Sequence, residues 1–323
     1  MGSKPDLKDI NGLELDRRVW AYDEDRRIAE IALKGRLEGE WEWLEPQPAY
    51  ILDNEQPMLY KEKKQERFVS DEYSSQILSN EFLEFLWQDA EHPIIHSKQN
   101  ILIRTATDGY LGWLYYSKPT LFSELELNFE NLRPVQCLRG HLYYEHSVRA
   151  DIAQPINFGG QLFAHESAMY EQWYDVSLEG PSWVHQSAMT YSNLPPLEWV
   201  KQFLGTPYLW GGRTAWGIDC SGLAQMYFRY QNIYIPRDAD QQEAAFSAVT
   251  EPRAGDLAFF DGHVGILLEQ NERGNWRMLH ANSRHMSVTV DTLSEGEYGA
   301  YLSSILHGFG RWEGEIGVYW KPK

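Results

Sequence analysis

A strand, an acidic residue followed by glycine, and a second strand bearing tryptophan occur twice in this chain. That repetition restricts its first half to small β-units. In the first copy Ile101, Ile103 and Thr105 alternate, Asp108-Gly109 signals a hairpin turn, and Tyr110-Leu111-Gly112-Trp113-Leu114 follows. About seventy residues later the pattern returns as Trp173-Tyr174-Asp175-Val176-Ser177-Leu178-Glu179-Gly180, then Pro181-Ser182-Trp183-Val184. An internal repeat of this kind divides the chain. We expect an N-terminal extension over 1–47, a first β-module over 48–120 and a second over 133–192, with Glu124 to Leu132 as a linker or short helix. In the extension, Ile28, Ile31 and Ala32 fall at helical spacing and predict a helix from about Tyr22 to Lys34, ended by Gly35. We give this extension little functional weight. Asn193-Leu194-Pro195-Pro196 closes the β half. A helix is expected over Leu197 to Leu204, stopped by Gly205, and the last domain runs over 195–323.

Composition narrows what such a chain does. Its 323 residues carry 29 Lys and Arg against 47 Asp and Glu, a formal charge of −18. A nucleic-acid partner needs a basic face, and an anionic membrane surface or wall would repel this one. The only basic run is the short KEKK stretch at 61–64. Two cysteines, Cys137 and Cys220, are too few for a disulfide scaffold or a four-thiolate zinc site. No run approaches the roughly 18 apolar residues of a membrane helix, so no membrane insertion is expected. The first thirty residues are charged throughout and show no signal peptide. A cytoplasmic location is therefore expected, with the periplasm or exterior as the alternative for a chain whose leader has been removed. Thirteen Trp, nineteen Tyr and thirteen Phe suit β-cores and a cleft that recognises peptides or sugars.

The chemistry-bearing stretch begins at Pro207-Tyr208-Leu209-Trp210-Gly211-Gly212 and reaches Gly217-Ile218-Asp219-Cys220-Ser221-Gly222. Beyond it Leu223, Met226, Tyr227 and Tyr230 recur at helical spacing, which puts Cys220 at the N-terminus of an amphipathic helix. Free backbone N–H groups and the helix dipole favour a thiolate there. A packing cysteine is the ordinary alternative, and Cys137, in a β-module strand, is read that way. Asp219, Ser221 and Gly222 are poor material for a core slot.

A nucleophilic thiol needs an imidazole within reach. Gly255 to Phe260, Gly262 to Leu268 and Trp276 to Asn282 read as three strands, with a hairpin loop over Gln270 to Asn275. If the loop is centred between Asn271 and Glu272, His263 faces His280. A centre one residue later puts His263 opposite Asn282, which shares a face with His280. Either register projects both histidines to one side. That suits a base and a group that orients it. Cys220, His263 and His280 could also offer three metal ligands, but no C-x-x-C or H-E-x-x-H pair announces a zinc site, and we expect no metal. His285, His307, His141 and His146 have no such partners and read as surface or structural.

Two resemblances build on these residues. The repeated hairpins resemble the bacterial Src-homology-3-type barrels of cell-wall enzymes. The ordered set Pro207 to Gly212, Asp219-Cys220-Ser221-Gly222, Pro236-Arg237-Asp238-Ala239 with Gln242, Gly255-Asp256-Leu257, Gly262-His263-Val264-Gly265 and His280-Ala281 resembles the NlpC-type cysteine peptidases. Together they resemble the γ-D-glutamyl-L-diamino acid endopeptidases that process murein peptides. The resemblance implies a multidomain α+β protein: two small β-barrels followed by a papain-like catalytic domain.

It also implies roles. Cys220 would be the nucleophile, His263 the general base and His280 its orienting partner. Tyr208 and the Cys220 backbone N–H would be the oxyanion donors. Asp219 and Ser221 match positions that hold the free amino terminus of the substrate, although Asp219 also suits a helix N-cap. Trp210 matches a cleft wall and Tyr110 a tyrosine reaching in from the first module. Glu81 and Asp238 are further candidates for the amine site. There are departures: Pro181-Ser182 follows Gly180 where the first module has tyrosine, Ala239 stands where some relatives carry serine, and the His263–His280 loop is long. The implied substrate is a murein peptide with a free N-terminal L-Ala, cut at its γ-D-glutamyl–diamino acid bond without any cofactor. A hydrolase of intact peptidoglycan with wall-binding barrels, and a non-catalytic wall-binding protein, are the alternatives.

Overall fold

The computed structural model of the chain describes residues 7–50, 57–61, 73–89, 99–116, 120–121, 129–177 and 180–317. The KEKK run beyond Lys61, most of the 124–132 linker, and Leu178-Glu179 of the second turn lie outside these residues.

The N-terminal stretch is not the expected helix. Tyr22–Asp23, Ile28–Glu30 and Glu42–Leu44 form a three-stranded sheet, and only Ile31–Leu33 makes a single tight turn. The apolar stripe was too short to sustain a helix, and Arg27 turns the chain at φ +57 before Ile28. Leu15, Tyr22, Ala29, Leu33 and Leu37 give this sheet its own small core.

The first β-unit is a seven-stranded antiparallel sheet. Its order is Thr120–Leu121, Gln47–Tyr50, Phe82–Gln88, Gln99–Thr105, Leu111–Tyr116, Met58–Tyr60, Tyr73–Gln76. Gln99–Thr105 and Leu111–Tyr116 pair as the sequence predicts, around Gly109 at φ +69. The second unit pairs Trp173–Asp175 with Trp183–His185 inside a five-stranded sheet. Both were expected to be closed barrels. Among the described residues the pairings are open sheets, and no strand pair joins the two edges of the first. Its edge strand Tyr73–Gln76 is covered from the last third of the chain instead. The Trp210 indole N–H donates to the Tyr73 carbonyl at 2.8 Å, and Arg213 donates through its backbone N–H to Gln76 Oε1 at 3.0 Å and through Nη1 to the Gln76 carbonyl at 2.9 Å. Edge groups satisfied in this way need no closing strand.

After Pro195 the chain forms α1 (Pro196–Val200), a tight turn over Lys201–Phe203 and then Gly205 at φ +78, where the sequence predicts a helix and its stop. There follow α2 (Cys220–Tyr230), α3 (Ala239–Ala245) and α4 (Gly296–Ser304). They pack on a six-stranded antiparallel sheet ordered Ser247–Val249, Leu306–Arg311, Leu257–Phe260, His263–Gln270, Trp276–Asn282, Ser287–Thr292. Leu223, Met226 and Tyr227 of α2 are buried against Leu257, Val264, Ile266 and Leu279 of the sheet. Leu78 of the first unit and Phe158 of the second belong to the same buried cluster. The three parts therefore meet in one core. Among the described residues no helix is long and apolar enough to cross a membrane.

Candidate active site

Asp219 ends the extended segment before α2 and caps the helix. Its Oδ1 accepts from the Gly222 N–H at 2.7 Å. Gly222 is required here, because a Cβ would lie 2.4 Å from the Gly212 carbonyl oxygen. Cys220 is thus the first residue of α2, as the helical spacing predicts. Cys220 is buried in one cluster with Val264, the residue that follows His263. The thiol itself is not the poised thiolate expected of a helix N-terminus. Burial, reinforced by the charge of Asp219, pushes its pKa up to about 12.

The register resolves the two alternatives for the histidines. Ile266 pairs with Leu279 and Leu267 with Met278. Continuing that register places His263 opposite Asn282, with His280 on the same face. The rings meet: His263 Nε2 lies 2.7 Å from His280 Nδ1. On its other side His280 Nε2 lies 2.9 Å from Asp291 Oδ2, a residue sequence reasoning missed. Asp291 sits on the neighbouring strand, where Thr289 Oγ1 also donates to it at 2.9 Å. The His280 hydrogen bond holds its carboxyl below the usual range, so it is ionised and can only accept.

Proton positions follow from this chain. Asp291 requires the proton of His280 on Nε2. A single proton there leaves His280 Nδ1 bare, to accept from His263 Nε2–H. His263 Nδ1 is then the lone pair left over for chemistry. Burial, with the neighbouring His280, drives the His263 pKa down to about 3, so the ring is a neutral base.

Tyr208 is half-buried. Burial and the charges of Cys220 and Asp219 raise its pKa, so its hydroxyl stays protonated and can donate. Its backbone N–H donates to the Met286 carbonyl at 2.9 Å. Trp210 is 55% exposed, and its indole is tied to the first β-unit.

The residues assigned to the amine end divide into two groups. Asp219 is engaged on both oxygens. Arg237 donates to it twice, at 3.1 and 2.6 Å, and Gly211 N–H donates at 2.9 Å. Ser221 Oγ is drawn into the same set, accepting from Arg237 Nη1 at 2.7 Å. Arg237, quoted in the motif but given no role, also reaches Ser75 Oγ of the first β-unit at 3.0 Å. Asp219 and Ser221 therefore fix the catalytic helix and leave little room for a substrate ammonium. Glu81 is likewise withdrawn. It is 1% exposed, accepts from Arg213 at 2.9 and 3.1 Å, and also takes the Leu78 N–H and the Thr107 hydroxyl.

Tyr110 and Asp238 do come together, with the Tyr110 hydroxyl donating to Asp238 Oδ2 at 3.2 Å. Arg18, from the stretch given little functional weight, donates to the same oxygen at 3.0 Å and to Asp240. The N-terminal sheet is thus part of this end of the site. His285, read as surface or structural, lies 3.7 Å from Asp291 and edge-on to Tyr298. Among the described residues no group of three His, Cys, Asp or Glu is arranged to hold a metal ion.

Residues 205–307 match the model of the NlpC/P60 family. Among curated proteins it is 38% identical over 117 residues to the gamma-D-glutamyl-L-lysine dipeptidyl-peptidase of Bacillus subtilis (strain 168), covering 33% of this chain and 38% of that protein. It is 38% identical over 96 residues to dipeptidyl-peptidase 6 of Lysinibacillus sphaericus, covering 29% and 34%. The chain thus spans little more than a third of the length of these relatives. Among solved structures, an NlpC/P60 family protein from Bacillus cereus ATCC 10987 superposes with a TM-score of 0.57 at 22% identity, over 74% of this chain and 82% of that one. That likeness is one of fold, and it extends well beyond the NlpC/P60 domain.

Proposed function

We propose that this chain is a cysteine peptidase that cuts the γ-D-glutamyl–diamino acid bond of short murein peptides bearing a free N-terminal L-Ala. The observation that carries the reading is the hydrogen-bonded series His263–His280–Asp291 on the sheet against which α2, headed by Cys220, packs. The peptidase names of the relatives support it.

In this reading His263 Nδ1 takes the thiol proton as sulfur attacks the γ-carbonyl carbon. The proton moves during attack, because the resting pair is neutral on both sides. The Tyr208 hydroxyl and the Cys220 N–H donate to the oxyanion. The His263 imidazolium then protonates the leaving amine, and water, activated by the same nitrogen, cleaves the thioester. The substrate ammonium is assigned to the corner of Asp238 and Tyr110, where it would share the Asp238 carboxylate with Arg18. The first β-unit, which supplies Tyr110, closes that end of the cleft. Released wall peptides in the cytoplasm are then the natural substrate, rather than intact wall.

The test compares free L-Ala-γ-D-Glu-diaminopimelate, its N-acetyl derivative and intact sacculi, with wild type and Cys220→Ala. We expect release of L-Ala-γ-D-Glu from the free peptide alone, and none from the variant. Equal turnover by Cys220→Ala overturns the mechanism. Cutting of sacculi alone, indifferent to acetylation, overturns the substrate assignment.

A further inference from the structure

The hairpin tip Ser283–Met286 joins the two strands that carry His280 and Asp291. It is held rigidly: the His285 N–H donates to Asn282 Oδ1 at 2.9 Å, and the Met286 carbonyl accepts from Tyr208. At its apex is Arg284, exposed, with no carboxylate partner among the described residues. Its guanidinium lies 4.9 Å from the Tyr298 ring centroid. Tyr298, on α4, stacks near-parallel on His280 with centroids 6.1 Å apart. An unpaired arginine is conspicuous in a chain of charge −18, and the mechanism above makes no use of it.

Its side of the cleft can be fixed from the segment Pro207–Gly211. One end, at Pro207 and Tyr208, pairs with Ser287 and Met286 next to the hairpin tip. The other end, at Trp210 and Gly211, is sealed against the first β-unit, where the amine end closes. The Tyr208 side chain packs on the buried cluster that holds Cys220. Arg284 therefore stands on the leaving-group side of the nucleophile.

The geometry points to a leaving-group subsite in which Arg284, steadied on Tyr298, receives a carboxylate of the departing amino acid. This rests on the peptidase reading. Guanidinium and carboxylate match as a two-pronged pair, and nothing in the site's proton traffic changes. The carboxylate has two sources: the α-carboxylate of the diamino acid, or the side-chain carboxylate of diaminopimelate.

The experiment is calorimetric binding to the full chain carrying Cys220→Ala, with Arg284 intact and with Arg284→Gln. The ligands are L-Ala-γ-D-Glu-L-Lys, its lysinamide, and the diaminopimelate peptide with its α-carboxylate free or amidated. With Arg284 intact, amidating lysine is expected to weaken binding on the order of tenfold. Arg284→Gln is expected to weaken the free acid by the same factor and leave the lysinamide unchanged. Dependence on Arg284 that survives α-amidation of the diaminopimelate peptide assigns the side-chain carboxylate; its loss assigns the α-carboxylate. Equal affinities of the Arg284-intact and Arg284→Gln chains for every peptide, free or amidated, overturn the subsite while the peptidase reading stands. Absence of binding by every peptide, with no hydrolysis by wild type, removes both.

Discussion

His280 and Asp291 form the hidden half of the site: an imidazole Nε2 faces a carboxylate oxygen across 2.9 Å, on adjacent strands, behind the pair expected to do the chemistry. The carboxylate sets the tautomer of His280, and through it the lone pair of His263.

Asp291→Ala is expected to lower kcat about 10- to 100-fold with KM little changed, the usual cost of removing an outer partner of a working imidazole. Asp291→Glu should recover part of the loss. The acid limb of kcat/KM should also move to lower pH, because loss of a nearby negative charge makes the imidazolium harder to form. Steady-state kinetics against pH checks both, and an unmoved limb would leave Asp291 with packing alone.

In the wild-type protein the two shifts run in opposite directions, and both favour the neutral form of the group. His263 is held near 3, far below its ordinary value, and Cys220 near 12. Protonation of the base then begins only in strong acid, so kcat/KM should stay level well below pH 6. Thiolate forms only in the alkaline range, so inactivation by iodoacetamide should keep accelerating above pH 9. A plateau in the alkylation rate near neutrality would instead reveal a preformed thiolate–imidazolium pair.

The Arg237–Asp219 pair is buried, with side chains 1% and 9% exposed. Arg237→Met should reduce unfolding free energy by about 3 kcal/mol, because it strands a carboxylate at the cap of the catalytic helix. Adding Asp219→Asn should restore a sizeable part of it. Denaturant unfolding of the two variants measures the difference.

Tyr110→Phe and Asp238→Asn test the amine end. Each is expected to raise KM for the free peptide, Asp238→Asn by the larger factor, and Tyr110→Phe by a factor of about five, the worth of one ordinary hydrogen bond. Equal KM values in wild type and both variants would exclude this corner from the site.

Cys220, His263 and His280 were legible because local rules govern them: a helix period places the cysteine, and strand alternation keeps the histidines on one face in either register. Asp291 was not, since its meaning depends on which strand lies beside Trp276–Asn282. Arg237 and Arg213 escaped for a similar reason. Their partners lie 18 and 132 residues away, and charge carries no periodicity that would point to them. Asp219 and Glu81 were matched to the substrate's amine for the same lack. The N-terminal sheet was misread because three apolar residues at helical spacing weigh little against a turn at Arg27. The open sheets were hidden because edge coverage by Trp210 and Arg213 is a tertiary fact.

Arg213 belongs to the loop before the nucleophile, and Glu81 to the first β-unit, yet each is the other's counter-ion in an interior closed to water. A gene segment beginning at Pro195 would encode a buried guanidinium with nothing to neutralise it, and a segment ending before it a stranded carboxylate. Neither half can be shuffled onto a new neighbour intact. The two parts are bound to diversify as a pair, with change at one position answered at the other.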